Sequence, residues 1–474
     1  MQTTYIIGFG SLALLPSCHT IDNQPSIPTD KPNIVFILID DMGYSDLACY
    51  GNRFHESPHI DALAAEGMRF THAYAASPVS SPSRASLLTG KYPVRYNITD
   101  WIPGRQSQGP CSGEKMLSPR IRNYLPLEEI TIAEKLKNFG YTTAIVGKWH
   151  IGDTAYFPYK QGFDVSIGCK GAGALGFFYP YIKNGTLFTT GSEGEYLTDR
   201  LTSEAIEFIK ANKNNPFFLY LSHYAVHIPL QAKQEIIDKY AAKMQNAYDS
   251  LHHNPTYAAM IEILDQNIGR LTKTLDSLQL LKNTLIIFFS DNGGLHVEEG
   301  PHNPATSNYP LRAGKGHLYE GGIRVPMIVK WPSVAKAGTI SDAVVSSIDF
   351  FPTIMQILGI EEKNIDGKSF FSVLRGNNKH DRGPLFWHYP HYSNQDGYPA
   401  GAIRVGQYKL IEFFEDRHLE LYDLHNDISE RNNLVDAMPK KTKELYNQLK
   451  KWQIQVNAQM PEILTNNETT EICP

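Results

Sequence analysis

An unbroken apolar run, Ile34 to Ile39, followed at once by Asp40-Asp41, constrains this chain more than any other stretch. A run without polar alternation has no solvent face. It predicts a strand buried on both sides, the setting of a parallel sheet covered by helices. Thr142 to Val146, Phe217 to Leu221, Leu285 to Phe289 and Met327 to Val329 are shorter runs of the same kind. Amphipathic stretches lie between them. Leu201, Ala205, Phe208 and Ile209 share one helical face, and Ile261, Leu264, Ile268, Leu271 and Leu275 share another. Strands alternating with helices predict an α/β fold with a mainly parallel central sheet flanked by helices.

The pattern changes near Gly383. Leu385-Phe386-Trp387, Ala402 to Val405, Tyr408 to Phe413 and Leu419 to Leu421 are short runs joined by brief polar turns, and a helix is predicted from about Lys440 to Val456. This reads as a small C-terminal domain with an antiparallel sheet and a packed helix. A chain of 474 residues exceeds one simple core. The expected division is a leader over 1–17, a tether over 18–30, a large domain over 31–382, a C-terminal subdomain over 383–462 and a tail over 463–474.

Ile6 to Leu15 is apolar but too short to span a bilayer, and Pro16-Ser17-Cys18 follows it. Export is the expectation, with Cys18 as the acylated first residue of a periplasmic or outer-membrane bacterial lipoprotein. A plain cleaved signal peptide is the alternative. Cys49, Cys111, Cys169 and Cys473 match no zinc spacing; they pair in one of three ways or stay as thiols. A net charge of −5 argues against a nucleic-acid partner, so cations that meet an anionic substrate must be placed locally.

Ligands of an open parallel sheet bind beyond the carboxyl ends of its strands. Polar residues collect at those ends here: Asp40-Asp41 after Ile39, Asp291-Asn292-Gly293-Gly294 after Ser290, Gly147-Lys148-Trp149-His150 after Val146, and Ser222-His223 with His227-Ile228-Pro229 after Leu221. Any one of these would pass for a cap or a turn; together they outline a site. Asp40, Asp41, Asp291 and Asn292 form an all-oxygen ligand set, which suits a hard cation such as Ca²⁺ or Mg²⁺ better than zinc. In Ser80-Ser81-Pro82-Ser83-Arg84, Ser81 is predicted as an N-cap and Pro82 as the first helical residue, with Gly90 closing the helix. Ser80 would then lie at a helix N-terminus that favours an anion, with Arg84 one turn along.

These residues carry a resemblance. Ser80-Ser81-Pro82-Ser83-Arg84 with Leu88-Thr89-Gly90 is similar to the signature of the formylglycine-dependent sulfatases, in which Cys or Ser leads x-Pro-Ser-Arg. Gly147-Lys148-Trp149-His150-Ile151-Gly152 resembles that family's second signature. Asp40-Asp41, His227-x-Pro229, Asp291-Asn292-Gly293 and Lys315-Gly316 ahead of Tyr319-Glu320-Gly321-Gly322 match in the family's order, from about Lys31 to about Met460.

The resemblance implies an alkaline-phosphatase-like large domain and a serine-type enzyme in which a dedicated maturase oxidises Ser80 to formylglycine. It implies one Ca²⁺ held by Asp40, Asp41, Asp291, Asn292 and residue 80. The hydrated aldehyde would attack sulfur with one hydroxyl, and loss of the proton from the other would expel sulfate. Asp291 is the implied base for the attack, Arg84 and Lys148 the groups holding the diol, and Lys148 and Lys315 the neutralisers of sulfate charge. His150 is the implied base for the collapse step and His227 the acid for the leaving oxygen.

Two other functions fit parts of the pattern. A phosphatase or phosphodiesterase of the alkaline phosphatase superfamily would use unmodified Ser80 and two zinc sites, but Asn292 stands where such enzymes tend to have His. A non-catalytic glycan-binding protein would have lost site residues, whereas every expected position is filled. The substrate expected is a sulfated sugar unit, with Trp387-His388-Tyr389-Pro390-His391-Tyr392 either contacting it or forming core strand. The regions Gly162-Phe163-Asp164-Val165 and Phe178-Tyr179-Pro180-Tyr181 resemble those of sulfatases acting on sulfated galactose or N-acetylgalactosamine.

Overall fold

The computed structural model describes residues 1–2, 31–105, 111, 113–171, 176–181, 187–245, 253–299, 304–377 and 380–464. The leader, the tether, Cys18, Cys473 and all but the first two residues of the tail lie outside the described residues. In chain order the first half runs β1 (Asn33–Ile39), α1 (Pro58–Ala65), β2 (Met68–Tyr74), α2 (Ser80–Thr89), β3 (Met116–Leu117), α3 (Ile132–Asn138), β4 (Thr142–Gly147), β5 (Val165–Ile167), α4 (Leu197–Asn212), β6 (Phe217–Ser222), α5 (Gln234–Met244) and α6 (Pro255–Ser277). The second half runs β7 (Thr284–Ser290), α7 (Glu320–Ile323), β8 (Met327–Lys330), β9 (Thr339–Ser346), α8 (Phe350–Ile357), α9 (Phe371–Leu374), β10 (Leu385–Tyr389), β11 (Ala400–Val405), β12 (Tyr408–Phe413), β13 (Leu419–Asp423), α10 (Pro439–Gln455) and β14 (Glu462–Ile463).

The large sheet has the order β5-β4-β6-β1-β7-β8-β2-β9. Every neighbouring pair is parallel except the two made by β8, which runs antiparallel to β7 and β2. An apolar run encodes burial and not direction, so the reversal of β8 was hidden in Met327 to Val329. Strand β1 is central and fully buried. Its alternate residues feed opposite cores: Val35, Ile37 and Ile39 pack with Leu201 of α4 and Leu264 and Ile268 of α6. Ile34, Phe36 and Leu38 pack with Leu87 and Leu88 of α2, Leu136 of α3 and Phe350 of α8. Strands β2 and β9 were missed because they are only part-buried and carry polar residues.

The second sheet is antiparallel in the order β10-β11-β12-β13. Leu445, Leu449 and Trp452 of α10 cover it, packing on Ile403, Leu410 and Leu421. A buried polar junction ties it to the large domain: Glu320 of α7 accepts from Lys409 Nζ of β12 at 3.1 Å and from the Tyr74 hydroxyl of β2 at 2.7 Å. Trp387 Nε1 donates to the Ala75 carbonyl at 2.8 Å.

The aromatic segment divides in two at the end of β10. Trp387 and Tyr389 are core residues and His388 is buried, its Nε2 against the Gln459 carbonyl. Strand packing accounts for these three, whereas His391 and Tyr392, further along, line a cavity. Phe163 is likewise buried in the core. Cys49 and Cys169 are free thiols, and Cys111 is in a disulfide.

Candidate active site

Strands β1, β4, β6 and β7 are consecutive neighbours, so their carboxyl ends deliver four loops to one place. Asp40, Asp41 and Asp291 meet there, each offering an oxygen within 4.8 Å of the others. All are buried. Carboxylates this close repel one another unless cations intervene. The chain supplies Arg84, Lys148 and Lys315.

Lys148 Nζ contacts both Asp40 oxygens, at 2.9 and 2.7 Å. Lys315 Nζ lies 2.7 Å from Asp41 Oδ2. Arg84 reaches Asp291 Oδ2 and also Asp40 Oδ1, at 3.2 Å. Burial would raise the Asp40 carboxyl, but Lys148 and Arg84 hold it well below the usual range. Burial is likewise outweighed at Asp41, by Lys315 and His227. At Asp291 burial wins over Arg84, helped by the charge on Asp40, and the carboxyl is pushed up to about 6.

Helix α2 places Ser80 beside this cluster. It begins at Ser80 itself, with extended Val79 as N-cap, and closes at Gly90 in the left-handed region. Ser81 is therefore not the cap; its hydroxyl accepts from the Ile102 N–H at 2.9 Å. Packing against the 99–105 loop took the side chain that local sequence would assign to the helix end. Ser80 Oγ is free to point at the acids, 3.1 Å from Asp40 Oδ1 and 3.3 Å from Asn292 Oδ1. Asn292 Nδ2 donates to Asp41 Oδ1 at 2.8 Å, which fixes its own Oδ1 towards Ser80.

Two residues of the site hold the left-handed backbone that non-glycine residues avoid: Asp41 at φ 61° and His150 at φ 60°. Close approach constrains the turn after β7 too. A Cβ on Gly293 would meet the Gly321 carbonyl oxygen at 1.8 Å, which gives the Asn292-Gly293 and Gly321-Gly322 pairs a shared steric reason.

The histidines are held by carbonyls. His150 Nε2 lies 2.8 Å from the Ile102 carbonyl, and its buried Nδ1 has no hydrogen-bond partner among the described residues. A carbonyl only accepts, so Nε2 carries the proton and Nδ1 keeps its lone pair. Burial and the Lys148 charge hold His150 well below the ordinary imidazole range, so the ring is neutral. His227 Nδ1 lies 2.6 Å from the Ile228 carbonyl, and its Nε2 is 3.0 Å from Lys315 Nζ. By the same argument His227 Nε2 accepts from the lysine. Burial and Lys315 lower its pKa, opposed by Asp41.

All the predicted site residues thus come together at one sheet edge. A cavity of about 210 Å³ opens over Ser80, Lys148, His150, His227 and Lys315. Its wall adds Trp101, Glu299, Asn394 and Gln395, none of which the sequence reading found. They stand in loops with no periodic or motif signal. Ser222 was visible only as a strand end, yet its hydroxyl accepts from Arg84 Nη1 at 2.6 Å and donates to the Lys148 carbonyl at 2.7 Å. His223 beside it is fully buried, with neither ring nitrogen partnered among the described residues, and burial pushes it down to about 3. A second cavity, of about 240 Å³ beside Asp100, Arg105 and Arg120, contains none of the predicted catalytic or metal-binding residues, but His391 and Tyr392 of the aromatic segment line it.

The profile of the family described as Sulfatase matches residues 32–360, and that of N-sulphoglucosamine sulphohydrolase, C-terminal, matches residues 313–459. A protein named Sulfatase from Formosa agariphila is 32% identical over 96% of this chain and 94% of its own length. N-acetylgalactosamine-6-O-sulfatase of Bacteroides thetaiotaomicron is 29% identical over 92% of this chain and 96% of its own. Among solved structures, Ps i-CgsB in complex with k-i-k-neocarrahexaose superposes with a TM-score of 0.76 at 32% identity, covering 92% of this chain and 96% of that one. With the acidic cluster, the lysines and Ser80 gathered at one sheet edge, the extent of these matches decides the assignment: the chain belongs to the sulfatase family.

Proposed function

We propose that this sulfuric ester hydrolase removes sulfate from a sulfated sugar, of the galactose or N-acetylgalactosamine type, through a formylglycine made from Ser80 by a dedicated maturase and with one Ca²⁺. The observation that carries the reading is the position of Ser80 Oγ beside Asp40 and Asn292, over a buried cluster of acidic side chains and under a cavity lined by Lys148 and Lys315. The sugar is supported by the N-acetylgalactosamine-6-O-sulfatase name of one relative and the carbohydrate in the structural neighbour.

The donor set fits a calcium-type ion. Asp40, Asp41 and Asp291 offer carboxylate oxygens and Asn292 an amide oxygen, all hard ligands converging on residue 80. Asp40, Asp41 and Asp291 are balanced by Arg84, Lys148 and Lys315 before any ion enters, so a divalent cation leaves a positive surplus to meet a sulfate ester. An ion held by Asp40, Asp41, Asp291 and Asn292 would supply Lewis acidity beside residue 80. The hydrated formylglycine supplies a nucleophile that plain serine lacks and a second hydroxyl whose deprotonation releases sulfate.

The other residues act from where they stand. Arg84 orients Asp291 and Asp40, Asp291 takes the proton of the attacking hydroxyl, and Lys148 and Lys315 hold sulfate oxygens. His150, neutral with an open Nδ1, accepts the later proton. His227 relays a proton to the leaving sugar oxygen through Nε2, which first takes it from the Lys315 ammonium 3.0 Å away, leaving that lysine neutral. Outside this site, the leader directs export and Cys18 carries a lipid anchor; labelling with a fatty acid in wild type and Cys18→Ala tests that.

Mass spectrometry of the peptide containing residue 80 tests the central claim. The protein made with a maturase should lack two hydrogens there, release sulfate from sulfated sugars, and lose activity in Ser80→Ala while staying folded. Unmodified Ser80 in active protein, or phosphate released in preference to sulfate, would overturn it in favour of a phosphatase.

A further inference from the structure

The cavity over Ser80 contains one carboxylate that the sulfate chemistry leaves unused, Glu299. It is held in place from the second domain. Gln395 Nε2 donates to Glu299 Oε2 at 2.8 Å. Gln395 is itself 3% exposed, its N–H donating to Ser393 Oγ at 2.9 Å and its carbonyl lying 2.7 Å from His317 Nε2. The charge of Glu299 also acts on Lys315, which lines the same cavity. Uncharged Trp101, Asn394 and Gln395 line the cavity with Glu299, whose charge is opposite to that of Lys148 and Lys315, which also line it.

A negative group in a cavity built to receive an anion weakens binding unless the substrate uses it. An ionised carboxylate only accepts hydrogen bonds, so what it can use is a donor. A second sulfate or a carboxylate brought to the same place is repelled, and like charges set face to face are a strong means of rejecting a wrong partner. Part-exposed Trp101 adds an indole with an apolar face and a polar edge, and Asn394 and Gln395 add amides able to donate and accept.

Building on the sugar-sulfatase reading above, we infer that Glu299 is a specificity-determining residue that accepts a hydrogen bond from an unsubstituted hydroxyl on the sugar carrying the scissile sulfate. It thereby excludes sugars with a second anionic group at that position. The enzyme is accordingly selective for sparsely sulfated sugars, and a densely sulfated glycan becomes a substrate only after another sulfatase has cleared the neighbouring position.

The test compares the matured enzyme with Glu299→Gln on pairs of sulfated monosaccharides, each differing only by a second sulfate on the carbon next to the scissile one. Wild type should prefer the monosulfated partner in kcat/KM by at least about tenfold, and Glu299→Gln should reduce that preference by a similar factor, chiefly through KM. Glu299→Ala, which drops the carboxylate without adding an amide donor, should move the ratio the same way. An unchanged ratio in variants that still turn over monosulfated sugar would overturn the inference alone. A wild-type enzyme with verified formylglycine that turns over no sulfated sugar would overturn the substrate reading beneath it as well.

Discussion

Arg84 approaches Asp291 with two donors on one oxygen: Nε at 2.9 Å and Nη2 at 2.7 Å, both to Oδ2. The other oxygen, Oδ1, accepts the Asp41 N–H at 3.1 Å. Arg84 therefore fixes how Asp291 presents itself, as well as balancing its charge. Arg84→Ala should lower unfolding free energy by about 3–5 kcal/mol, because it strands buried carboxylates. Arg84→Lys should fold better but lose at least about a hundredfold in kcat, since a single ammonium cannot span Asp291, Asp40 and Ser222 together. Denaturant titration and steady-state kinetics check both; an Arg84→Ala protein as stable as wild type would contradict the arrangement.

Calcium bound at the acidic cluster, as proposed, would be a stabilising ligand as well as a catalytic one. Adding Ca²⁺ to chelator-treated protein should raise Tm progressively with concentration, as for any ligand bound by the native state alone. Asp41→Asn removes one of its carboxylates and should abolish most of that rise. Equal shifts in both proteins would place the ion elsewhere.

Asp100 governs a pH dependence away from the reacting groups. Burial pushes its carboxyl up to about 7 even though the Trp101 N–H and the Tyr389 hydroxyl both donate to it, each at 2.9 Å. A folded pKa above the unfolded value near 4 means the native state holds the extra proton. Its contribution to stability is then complete below about pH 4 and lost as pH rises through about 7. Asp100→Asn keeps an accepting oxygen and cannot ionise. It should match wild type near pH 4 and exceed it by a few kcal/mol near pH 8. Parallel denaturation curves across that range would show that Asp100 does not titrate this way.

What could be read from sequence, and what could not, divides along physical lines. Asp40, Asp291, Lys148 and His227 follow apolar runs, and buried strands announce themselves by composition. Their meeting at one edge needs only the rule that such strands are neighbours in one sheet. Ser81 misled because a local cap competes with a tertiary partner, the Ile102 N–H, that no local pattern contains. Glu299 and Gln395 stayed hidden because they meet across 96 positions of chain through loops without periodicity. Trp387 and Tyr389 left two readings open, because aromatic density reads alike in a sugar site and in a strand core, and burial decides for the core at these two.

Gly316 couples the second domain to the cavity. Its φ is +83°, and a Cβ there would meet Ser393 Oγ at 2.1 Å. Gly316→Ala should push away the loop that holds Gln395 while adding no group to the cavity. The expected result is a rise in KM for sugar sulfates that exceeds any fall in kcat, measurable by steady-state kinetics. A variant with unchanged KM would mean that the loop does not help position substrate.

The buried junction of Glu320, Lys409 and Tyr74 holds the second sheet against the first, and the 391–398 loop rides on that sheet's edge. On the sugar-sulfatase reading, part of what selects the sugar is therefore written in a passage of the chain apart from the residues that carry the reaction. Substitutions in the loop can then alter the menu of acceptable sugars while Ser80, Arg84, Lys148, Asp291 and Lys315 keep the same reaction. Enzymes of this build can change diet without relearning chemistry.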